Sequence, residues 1–453
     1  MDRPIAIDLF SGVGGISLGL EQAGFDVVAA VEIDPIHAAC HKFNFPDCAV
    51  IPRSVRDVSA QTIRALPKIG DRKVDLVVGG APCQGFSLIG QRVLDDPRNS
   101  LVREFVRIVT ELDASYFVFE NVKGLTLGKH KVFLDELIGL LDSRGYVVRT
   151  PWKVLNAAEY GVPQNRERLI LIGGKKGLTL PQYPSPTTRL PNAVQDLLSL
   201  PLGPTCSEAL DDLPDAEDYA ALNESDEVQA KKWGNPSTYA KEMRCLSDDA
   251  WYFGYCRNWD PSLLTSSMRT DHSEISRRRF TETKPGEVEP ISRFLKLSPE
   301  GISNTLRAGT DAARGAFTSP RPIHYRLPRC VTVREMARLH GFPDWFRFHE
   351  TKWHGARQIG NAVAPPLARA IGIEISSAMG FIPTRPSEVV DLDEVALLKM
   401  DMRQASAYWK VDVPIGKRDR KSGAKKRKQS EIEAARVLFF SNAEVENSIQ
   451  QKE

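Results

Sequence analysis

The sequence predicts an α/β fold in which a parallel sheet is covered by helices on both faces. Apolar runs of strand length recur along the first 180 of the 453 residues, at 4–10, 26–33, 74–79, 116–119 and 168–173. Helical patterns lie between them, at 15–23, from Pro35, at 101–112 and at 132–141. This alternation is typical of parallel strand–helix–strand units, which place helices on both faces of one sheet.

Composition and charge indicate a globular protein and leave its ligands open. The sequence is 42% hydrophobic and 26% charged, unlike that of a disordered chain. The net charge of +2 does not by itself imply nucleic acid. No apolar stretch approaches the ~20 residues of a membrane-spanning helix, and residues 1–4 do not resemble a signal peptide, so a cytoplasmic protein is predicted. The seven cysteines are odd in number and scattered, which predicts reduced thiols rather than disulfides.

The composition changes after residue 180. Six prolines between 181 and 204 predict a linker, and an acidic stretch follows at 208–218. The region 231–329 is rich in aromatic and basic residues, but its pattern does not define secondary structure. Helical patterns return at 333–339 and 366–379.

A glycine-rich segment at the end of the first predicted strand is a candidate ligand site. It reads Asp8-Leu-Phe-Ser-Gly-Val-Gly-Gly15, and glycines there let the chain turn sharply while a ligand approaches the backbone. Glu32 ends the second predicted strand, where a carboxylate can accept hydrogen bonds from ribose hydroxyls. Asp57 follows a possible third strand and is a candidate for an adenine amino group. On these residues alone NAD, S-adenosylmethionine and a turn without a ligand all remain open, as does a capping role for Asp57.

Further segments bring reactive side chains to the same predicted edge of the sheet. Gly-Gly-Ala-Pro-Cys-Gln-Gly-Phe-Ser follows a buried strand and places Cys83 where ligands of open α/β sheets bind. The next strand ends in Phe-Glu-Asn-Val, which contains Glu120, and Gln-Asn-Arg-Glu-Arg precedes a late strand. Alternation puts Gln164, Arg166 and Arg168 on one side of an extended chain. The alternatives are that Cys83 is an inert packed thiol and that Arg166 and Arg168 are ordinary surface arginines.

Six segments of the chain follow one another in a recognisable order. They are Asp-Leu-Phe-Ser-Gly-Val-Gly-Gly, Gly-Ala-Pro-Cys-Gln-Gly-Phe-Ser, Phe-Glu-Asn-Val, Gln-Asn-Arg-Glu-Arg, the stretch 327–346, and Ile-Gly-Asn-Ala-Val-Ala-Pro-Pro-Leu-Ala from Ile359. Together they resemble the motifs of the DNA (cytosine-5)-methyltransferase family, over residues 1–175 and 329–375. Two departures are mild: no glycine precedes Asp57, and the last motif has one residue more before its proline than many members.

The resemblance implies a fold, a cofactor and roles for the residues at the sheet edge. The fold is a doubly wound, Rossmann-like methyltransferase sheet with a smaller target-recognition domain inserted before the carboxyl-terminal motifs. Cys83 is then the covalent nucleophile, Glu120 binds N3 of the target cytosine, Arg168 contacts its exocyclic oxygen, and Arg166 supports the cysteine loop. The implied cofactor is S-adenosylmethionine, held by Phe10, Gly12, Gly14, Gly15, Glu32, Asp57, Pro82, Leu101, Asn361 and Val363.

No metal is predicted. The set His37, Cys40, His41 and Cys48 superficially resembles zinc ligands. However, His37 and His41 lie on the helix predicted from Pro35, and the family that the chain resembles has no metal there.

The implied partner is double-stranded DNA. The loop 87–99 is a candidate lid with Ser87 and Gln91 as contacts, and a plain connecting loop is the alternative. The inserted region offers further candidate contacts, namely Arg277, Arg278, Arg279, Arg307 and Arg314, for which a solvated basic face is the alternative. The segment 417–428 holds eight lysines and arginines and predicts a disordered electrostatic arm or a solubilising extension.

The predicted organisation has four parts. They are a catalytic and cofactor-binding domain (1–180), a linker with a target-recognition domain (181–350), a segment that returns to the catalytic domain (351–385) and a basic, partly disordered extension (386–453). The predicted enzyme is a monomer without membrane contact or an obligatory protein partner. It acts on DNA in the cytoplasm beside a restriction endonuclease.

Three other functions are alternatives to this prediction: an RNA cytosine-5 methyltransferase, a non-catalytic DNA-binding relative and a Rossmann oxidoreductase. The large variable block favours DNA over RNA. The presence of Cys83, Glu120 and Arg168 disfavours a non-catalytic protein, and an oxidoreductase has no use for the cysteine loop.

Overall fold

A large mixed sheet organises the computed structural model, which describes residues 2–82, 100–126, 130–190, 199–309 and 320–414. The strands of this sheet are β1 (Ile5–Leu9), β2 (Asp26–Val31), β3 (Ala49–Ile51), β4 (Leu76–Gly79), β5 (Tyr116–Val122), β6 (Tyr146–Val148), β7 (Lys153–Asn156) and β8 (Glu167–Lys175). The short strands β9 (Val228–Gln229), β10 (Cys256–Asn258), β11 (Leu263–Leu264) and β12 (Val389–Asp391) pair elsewhere.

The helices alternate with the strands in the amino-terminal part, as the sequence predicts. They are α1 (Gly15–Gln22), α2 (Pro35–Asn44), α3 (Ala60–Arg64), α4 (Ser100–Glu111), α5 (His130–Ser143), α6 (Cys206–Leu210), α7 (Thr238–Met243), α8 (Glu274–Glu282), α9 (Val333–His340), α10 (Lys352–Asn361), α11 (Pro365–Ala378) and α12 (Met402–Trp409). Local signals set several of their ends. Asp34 caps α2, whose first residue is a proline, while Thr332 and Glu335 form a capping box at the start of α9.

The sheet has the order β3-β2-β1-β4-β5-β8-β6, with β7 also paired to β8. Strands β1 to β5 pair in parallel, but β8 is antiparallel to β5, β6 and β7. The prediction of a wholly parallel sheet is therefore wrong at this side. Its cause is the link between β7 and β8, residues 157–166, which is shorter than the dozen or more residues that a parallel crossover needs.

Helices cover both faces of the sheet, which confirms the doubly wound arrangement. On one face α4 and α5 contribute Phe105 and Phe133 to a buried cluster with Phe117 of β5. On the other face α1 and α11 lie in direct contact, since a Cβ atom on Gly19 would come within 2.5 Å of the Ala368 Cβ. The carboxyl-terminal helix α11 therefore completes the face that α1 begins.

The part after residue 180 packs directly against the amino-terminal helices. One buried cluster joins Val13 and Ala39 to Leu210, Met336 and Phe346. Apolar contacts thus cross the boundary predicted at residue 180, and the division into four functional parts remains a prediction.

The predicted basic extension does not begin at residue 386. Strand β12 pairs with β10, and α12 lies against α2, where Trp409 Nε1 donates to the Pro35 carbonyl at 3.1 Å. Leu397 and Leu398 are buried in the same cluster as α2. Acidic residues outnumber basic ones in the segment 386–414. The boundary is wrong because these apolar side chains bury against the domain, while the basic segment 417–428 lies outside the described residues.

Two further expectations concern thiols and membranes. The six cysteines within the described ranges are free, as their odd and scattered distribution predicts. None of the helices in the described ranges is both long and apolar enough to cross a bilayer.

Candidate active site at the carboxyl edge of the sheet

The loop between β1 and α1 forms the first part of the site. Phe10 and Gly12 have left-handed φ angles of 61° and 55°, and Gly14 has a φ of 104°. These angles turn the chain sharply at the end of β1, and they favour glycine because it lacks a Cβ atom. A Cβ atom added to Gly12 would meet no heavy atom within 4 Å. The loop therefore has open space beside its backbone.

Glu32 is fixed at the end of β2 by two backbone amides. The Gly12 N–H donates to its Oε2 at 2.7 Å, and the Asp34 N–H donates to its Oε1 at 2.8 Å. Burial raises the pKa of the Glu32 carboxyl above its ordinary value. Each carboxylate oxygen has more than one acceptor position, so Glu32 can accept further hydrogen bonds from a ligand.

Ile33 was not singled out from the sequence, although it adjoins Glu32. Its side chain is 64% exposed, and Asp57, at the end of a 3₁₀ turn (Val55–Asp57), is exposed as well. An apolar surface next to a carboxylate suits a planar base attached to a sugar. The sequence signal that could have identified Ile33 is its position, since it is an apolar residue directly after the charged residue that ends a buried strand.

The last motif of the chain meets the glycine loop. A Cβ atom on Gly15 would lie 2.3 Å from the Val363 carbonyl oxygen, so glycine permits this close packing. Val363 is buried, while Asn361 at the end of α10 is exposed. Leu101, at the start of α4, is half-buried and packs against the core of the sheet. The structure thus brings the predicted residues Gly15 and Val363 together across the length of the chain.

Glu120 and Arg168 form an ion pair at the carboxyl edge of β5. Arg168 Nε lies 2.7 Å from Glu120 Oε1, and both side chains are largely buried. They come from the neighbouring strands β5 and β8, whose antiparallel register pairs Val122 with Arg168. Gly80 lies against the same carboxylate, because a Cβ atom there would be 2.6 Å from Glu120 Oε2. A glycine at this position therefore lets the chain that leads to Cys83 approach Glu120.

Asn121 holds the chain after Gly80. Its Nδ2 donates to the Ala81 carbonyl at 2.9 Å, and its Oδ1 accepts the Val122 N–H at 2.9 Å. Pro82 is exposed and is the last described residue before the nucleophile predicted from the sequence. Four residues singled out from the sequence lie outside the described ranges: Cys83, Ser87, Gln91 and Arg314.

Arg166 is fully buried and binds backbone carbonyl groups. Its guanidinium donates to Leu306 at 3.1 Å, to Gly360 at 2.8 Å and to Ala362 at 2.7 Å. Burial lowers the pKa of Arg166 well below its ordinary value. These contacts fix the position of the last motif relative to β8. Support of the cysteine loop by Arg166 remains a prediction.

His340 joins the same network and was missed by the sequence analysis. Its Nδ1 lies 2.9 Å from Gln164 Nε2, and its Nε2 lies 3.1 Å from the Ala362 carbonyl oxygen. Burial, together with the nearby Arg166 charge, lowers the pKa of His340 well below its ordinary value, so the ring is neutral. His340 lies within a family motif, but a lone histidine at the end of a helix has no distinguishing spacing.

The two histidines and the one cysteine of α2 are buried. Burial raises the pKa of the Cys40 thiol to about 12 and lowers the pKa of His41 to about 4, so both groups are neutral near pH 7. Within the described ranges no group of three or more His, Cys, Asp or Glu side chains is arranged to hold a metal ion.

The predicted DNA contacts divide into paired and exposed side chains. Arg277 forms a two-point ion pair with Glu217, at 2.6 and 2.8 Å. Arg279 lies 3.7 Å from a buried glutamate carboxylate. Arg278 and Arg307 are exposed. Consequently Arg278 and Arg307 are accessible to a ligand, whereas Arg277 and Arg279 are engaged within the protein.

Known proteins resemble this chain along most of its length. A family model described as C-5 cytosine-specific DNA methylase matches residues 5–377. The Type II methyltransferase M.XorII of Xanthomonas oryzae pv. oryzae is 57% identical over 415 residues, which cover 92% of this chain and 94% of that protein. The Type II methyltransferase M1.HphI of Haemophilus parahaemolyticus is 33% identical over 371 residues, covering 81% of this chain and 84% of that protein.

A solved structure shares the fold. It is a crystal structure from E. coli of a prophage-encoded protein described as a DNA modification methyltransferase, with a TM-score of 0.66 and 34% sequence identity. The similarity covers 83% of this chain and 99% of that one. The family match includes the glycine loop, Glu32, the Glu120–Arg168 pair and the segment 359–363. The chain therefore belongs to the C-5 cytosine-specific DNA methylase family and is a DNA cytosine-5 methyltransferase.

Proposed function

We propose that this enzyme transfers a methyl group from S-adenosylmethionine to carbon 5 of a flipped-out cytosine within a specific double-stranded DNA sequence. The observation that carries the proposal is the Glu120–Arg168 pair, which lies against Gly80, three residues before Cys83. A carboxylate and a guanidinium held together offer an acceptor and several donors to one planar base. The glycine loop and Glu32 lie at the ends of the neighbouring strands β1 and β2, where ligands of open α/β sheets bind.

The residues at the glycine loop fit S-adenosylmethionine. Glu32 offers carboxylate oxygens to the ribose hydroxyls, Ile33 offers an apolar surface to the adenine, and Asp57 offers an acceptor to its amino group. The other residues proposed to line this pocket are Phe10, Gly12, Gly14, Gly15, Pro82, Leu101, Asn361 and Val363. When bound, S-adenosylmethionine supplies a methyl group activated by a sulfonium ion.

Cys83 begins the reaction as a thiolate. A free thiol with a pKa of ~8.5 already supplies a few per cent of thiolate near neutral pH. The sulfur adds to carbon 6 of the cytosine while Glu120, in its protonated form, donates its proton to N3, which makes carbon 5 nucleophilic. Carbon 5 then accepts the methyl group. A base such as water removes the carbon-5 proton, and Cys83 leaves carbon 6. The N3 proton finally returns to Glu120.

Two arginines support this chemistry in different ways. Arg168, held by Glu120, donates to the exocyclic oxygen of the cytosine. Arg166 acts on the reaction through the backbone that it binds at Leu306, Gly360 and Ala362, so it is a positioning residue.

The DNA must present its cytosine outside the helix. Unstacking and unpairing one base costs a few kcal/mol, which contacts to the flipped strand must offset. We assign the lid to residues 87–99, with Ser87 and Gln91 as contacts, and sequence recognition to the region 231–325, with Arg278 and Arg307 as its exposed arginines. M.XorII and M1.HphI are named Type II methyltransferases. By analogy, this enzyme protects DNA from a cognate restriction endonuclease.

A duplex that carries 5-fluorocytosine at the target position tests the covalent step. Addition of Cys83 and methyl transfer proceed on this base, but fluorine cannot leave carbon 5 as a cation, so the adduct is not released. We expect a denaturation-resistant protein–DNA band that requires S-adenosylmethionine. Mass spectrometry of the modified peptide should locate the link at Cys83.

Cys83→Ser and Glu120→Gln are the matched variants for this test. Cys83→Ser should not trap appreciably, because a serine hydroxyl is un-ionised near neutral pH and far less nucleophilic. Glu120→Gln should trap slowly, because the thiol is retained and the N3 proton donor is lost. A crosslink at another cysteine, or efficient trapping by Cys83→Ser, would contradict the assignment.

A further inference from the structure

A buried hydrogen-bond network joins four segments of the chain beneath the proposed site. The segments are 163–166, 303–308, 339–340 and 360–363. Arg166 binds three carbonyl groups, as described above, and Gln164 Oε1 accepts the Leu306 N–H at 3.0 Å. His340 connects Gln164 to the Ala362 carbonyl. The side chains of Gln164, Arg166 and His340 are at most 1% exposed, so the network is closed to solvent.

The network extends from the cofactor side of the proposed site to its target-base side. On the cofactor side, Ala362 precedes Val363, whose carbonyl oxygen packs against Gly15 of the glycine loop. On the base side, Arg166 lies two residues before Arg168, which pairs with Glu120. Among the described residues, His340 is the only side chain of this network that bonds both Gln164 and Ala362.

The hydrogen-bond partners determine the tautomer of His340. Gln164 uses its Oε1 as an acceptor for Leu306 N–H, so its Nε2 is the donor that faces His340 Nδ1. Nδ1 must then be the unprotonated nitrogen of the neutral ring, and Nε2–H donates to the Ala362 carbonyl. One imidazole therefore offers an acceptor to the base side and a donor to the cofactor side.

We infer that His340 is a positioning residue that couples the cofactor side of the site to its target-base side. This inference rests on the proposed function, because it assigns the two sides to S-adenosylmethionine and to cytosine. A shift of the 360–363 segment on cofactor binding moves the Ala362 carbonyl, and the ring transmits that shift to Gln164 and the start of β8. The coupling is reciprocal, since a change in affinity at one site requires the same change at the other.

His349 provides a matched control. It is also buried and bonded at both ring nitrogens, with Nδ1 2.9 Å from Thr351 Oγ1 and Nε2 3.0 Å from the Met400 carbonyl oxygen. Those partners lie at the start of α10 and before α12, outside the network. His349→Leu therefore removes an equivalent pair of hydrogen bonds without touching either half of the site.

The coupling is measured with the full chain and S-adenosylhomocysteine, the demethylated product of the cofactor. The dissociation constant for target DNA is determined with and without this compound in wild type, His340→Leu and His349→Leu. Couplings between sites typically change affinity ~5–150-fold. We expect a clear ratio in wild type and His349→Leu, and a smaller ratio in His340→Leu, in which Arg166 still bonds the Ala362 carbonyl. Thermal melting of each variant establishes that it is folded.

Two conservative variants separate the two hydrogen bonds. Asparagine at position 340 places its amide near the Nδ1 position, so His340→Asn keeps an acceptor for Gln164 and loses the bond to Ala362. Glutamine places its amide near the Nε2 position, so His340→Gln keeps the donor to Ala362 and loses the bond to Gln164. In His340→Asn we expect ~10-fold weaker binding of S-adenosylhomocysteine, which is the effect of losing one buried hydrogen bond. In His340→Gln we expect a lower kcat and an unchanged affinity for S-adenosylhomocysteine.

The outcomes separate this inference from the proposed function. If folded wild type neither binds S-adenosylhomocysteine nor traps on 5-fluorocytosine DNA, the proposed function fails. If wild type does both, and folded His340→Leu keeps the full coupling ratio, the inference alone fails. An equal loss of coupling in His349→Leu would also overturn it, because the effect would then follow any buried histidine.

Discussion

Buried carboxyl groups beside the glycine loop accept hydrogen bonds from backbone amides and a hydroxyl, whereas a buried carboxyl group of α9 is paired with an arginine. Beside the glycine loop, Asp8 of β1 accepts from Ser17 Oγ at 2.6 Å, while its Oδ1 has no hydrogen-bond partner in the described part of the chain. Burial raises the pKa of Asp8 to about 7. In α9, Glu335 receives two hydrogen bonds of 2.8 Å from Arg329. Burial alone would raise the pKa of Glu335, but the charge and hydrogen bonds of Arg329 lower it to about 2.

The difference separates the proposed binding region from a region that holds the chain together. Around α9 the positive charges are internal, and Arg338 also bonds Asp212 and Asp344 with no exposure of its guanidinium. At the glycine loop, Glu32 and Asp8 rely on backbone amides and a hydroxyl. The remaining acceptor positions of the Glu32 carboxyl are therefore left for the ligand proposed above.

Removal of Arg338 should have the largest effect on stability. Arg338→Leu leaves the carboxylates of Asp212 and Asp344 buried without this partner, and breaking a buried pair costs ~3–5 kcal/mol. Urea denaturation should show this loss. Arg326→Leu is the control, because the Arg326–Asp211 pair is exposed and such pairs contribute ~0–1 kcal/mol. Equal losses in the two variants would remove the distinction between the regions.

Glu335→Gln should change how stability depends on pH. The folded-state pKa of Glu335 is lowered from 4.5 to about 2, so its contribution is present above pH 4.5 and is lost as the pH falls toward 2. The contribution is on the order of 3 kcal/mol, from ~1.4 kcal/mol per pKa unit. The free energy of unfolding of Glu335→Gln should fall below that of wild type at pH 7 and converge with it below pH 4. A constant difference across this range would contradict the ion pair as its cause.

Asp8→Asn should show the opposite pH dependence and a smaller net effect. The pKa of Asp8 is raised from 3.8 to about 7, so wild type loses stability as the pH rises between these values. The loss reaches ~4 kcal/mol at pH 7, but an unpaired asparagine amide costs ~1–3 kcal/mol. We expect a net gain of ~1–3 kcal/mol at pH 7 by chemical denaturation. If the variant gains nothing between pH 4 and 7, Asp8 is ionised in the folded protein.

The smallest effect concerns the arginines of α8. Arg278 is exposed, so Arg278→Ala should lower the slope of log affinity for DNA against log salt by ~0.9, the value for one lost phosphate contact. Arg277→Ala should leave the slope unchanged, because Glu217 already neutralises this arginine. Binding titrations at several salt concentrations measure both slopes. Equal reductions would show that the ion pair of Arg277 opens on DNA.

Local features of the fold were predictable from the sequence, whereas strand direction was not. Most strands and helices of the first 180 residues follow from apolar periodicity, and α3, β6 and β7 are the short elements that it missed. The antiparallel direction of β8 depends on the length of its connection to β7. A strand pattern alone does not contain that information, because parallel and antiparallel strands can have the same apolar runs.

The candidate site shows the same limit for side chains. The order of motifs placed Glu120 and Arg168 at one edge, and the structure brings them within 2.7 Å. The sequence did not distinguish Arg277 from Arg278, because the partner of Arg277 is Glu217, which lies 60 residues away along the chain. His340 was missed for a related reason: its role depends on Gln164 and Ala362, which are distant in sequence.

The contact between α1 and α11 links the start of the chain to residues made much later. Gly19 packs against Ala368 and Pro365, so the face of α1 is covered only after roughly 350 further residues have been added. At ~5–20 residues per second, synthesis of that length takes roughly 20–70 s. During this time α11 is not yet present to cover the apolar side chains of the first helix, such as Leu20. The contact between Gly15 and Val363 also forms only after residue 363 has been made, so the packing around the glycine loop is completed late in synthesis.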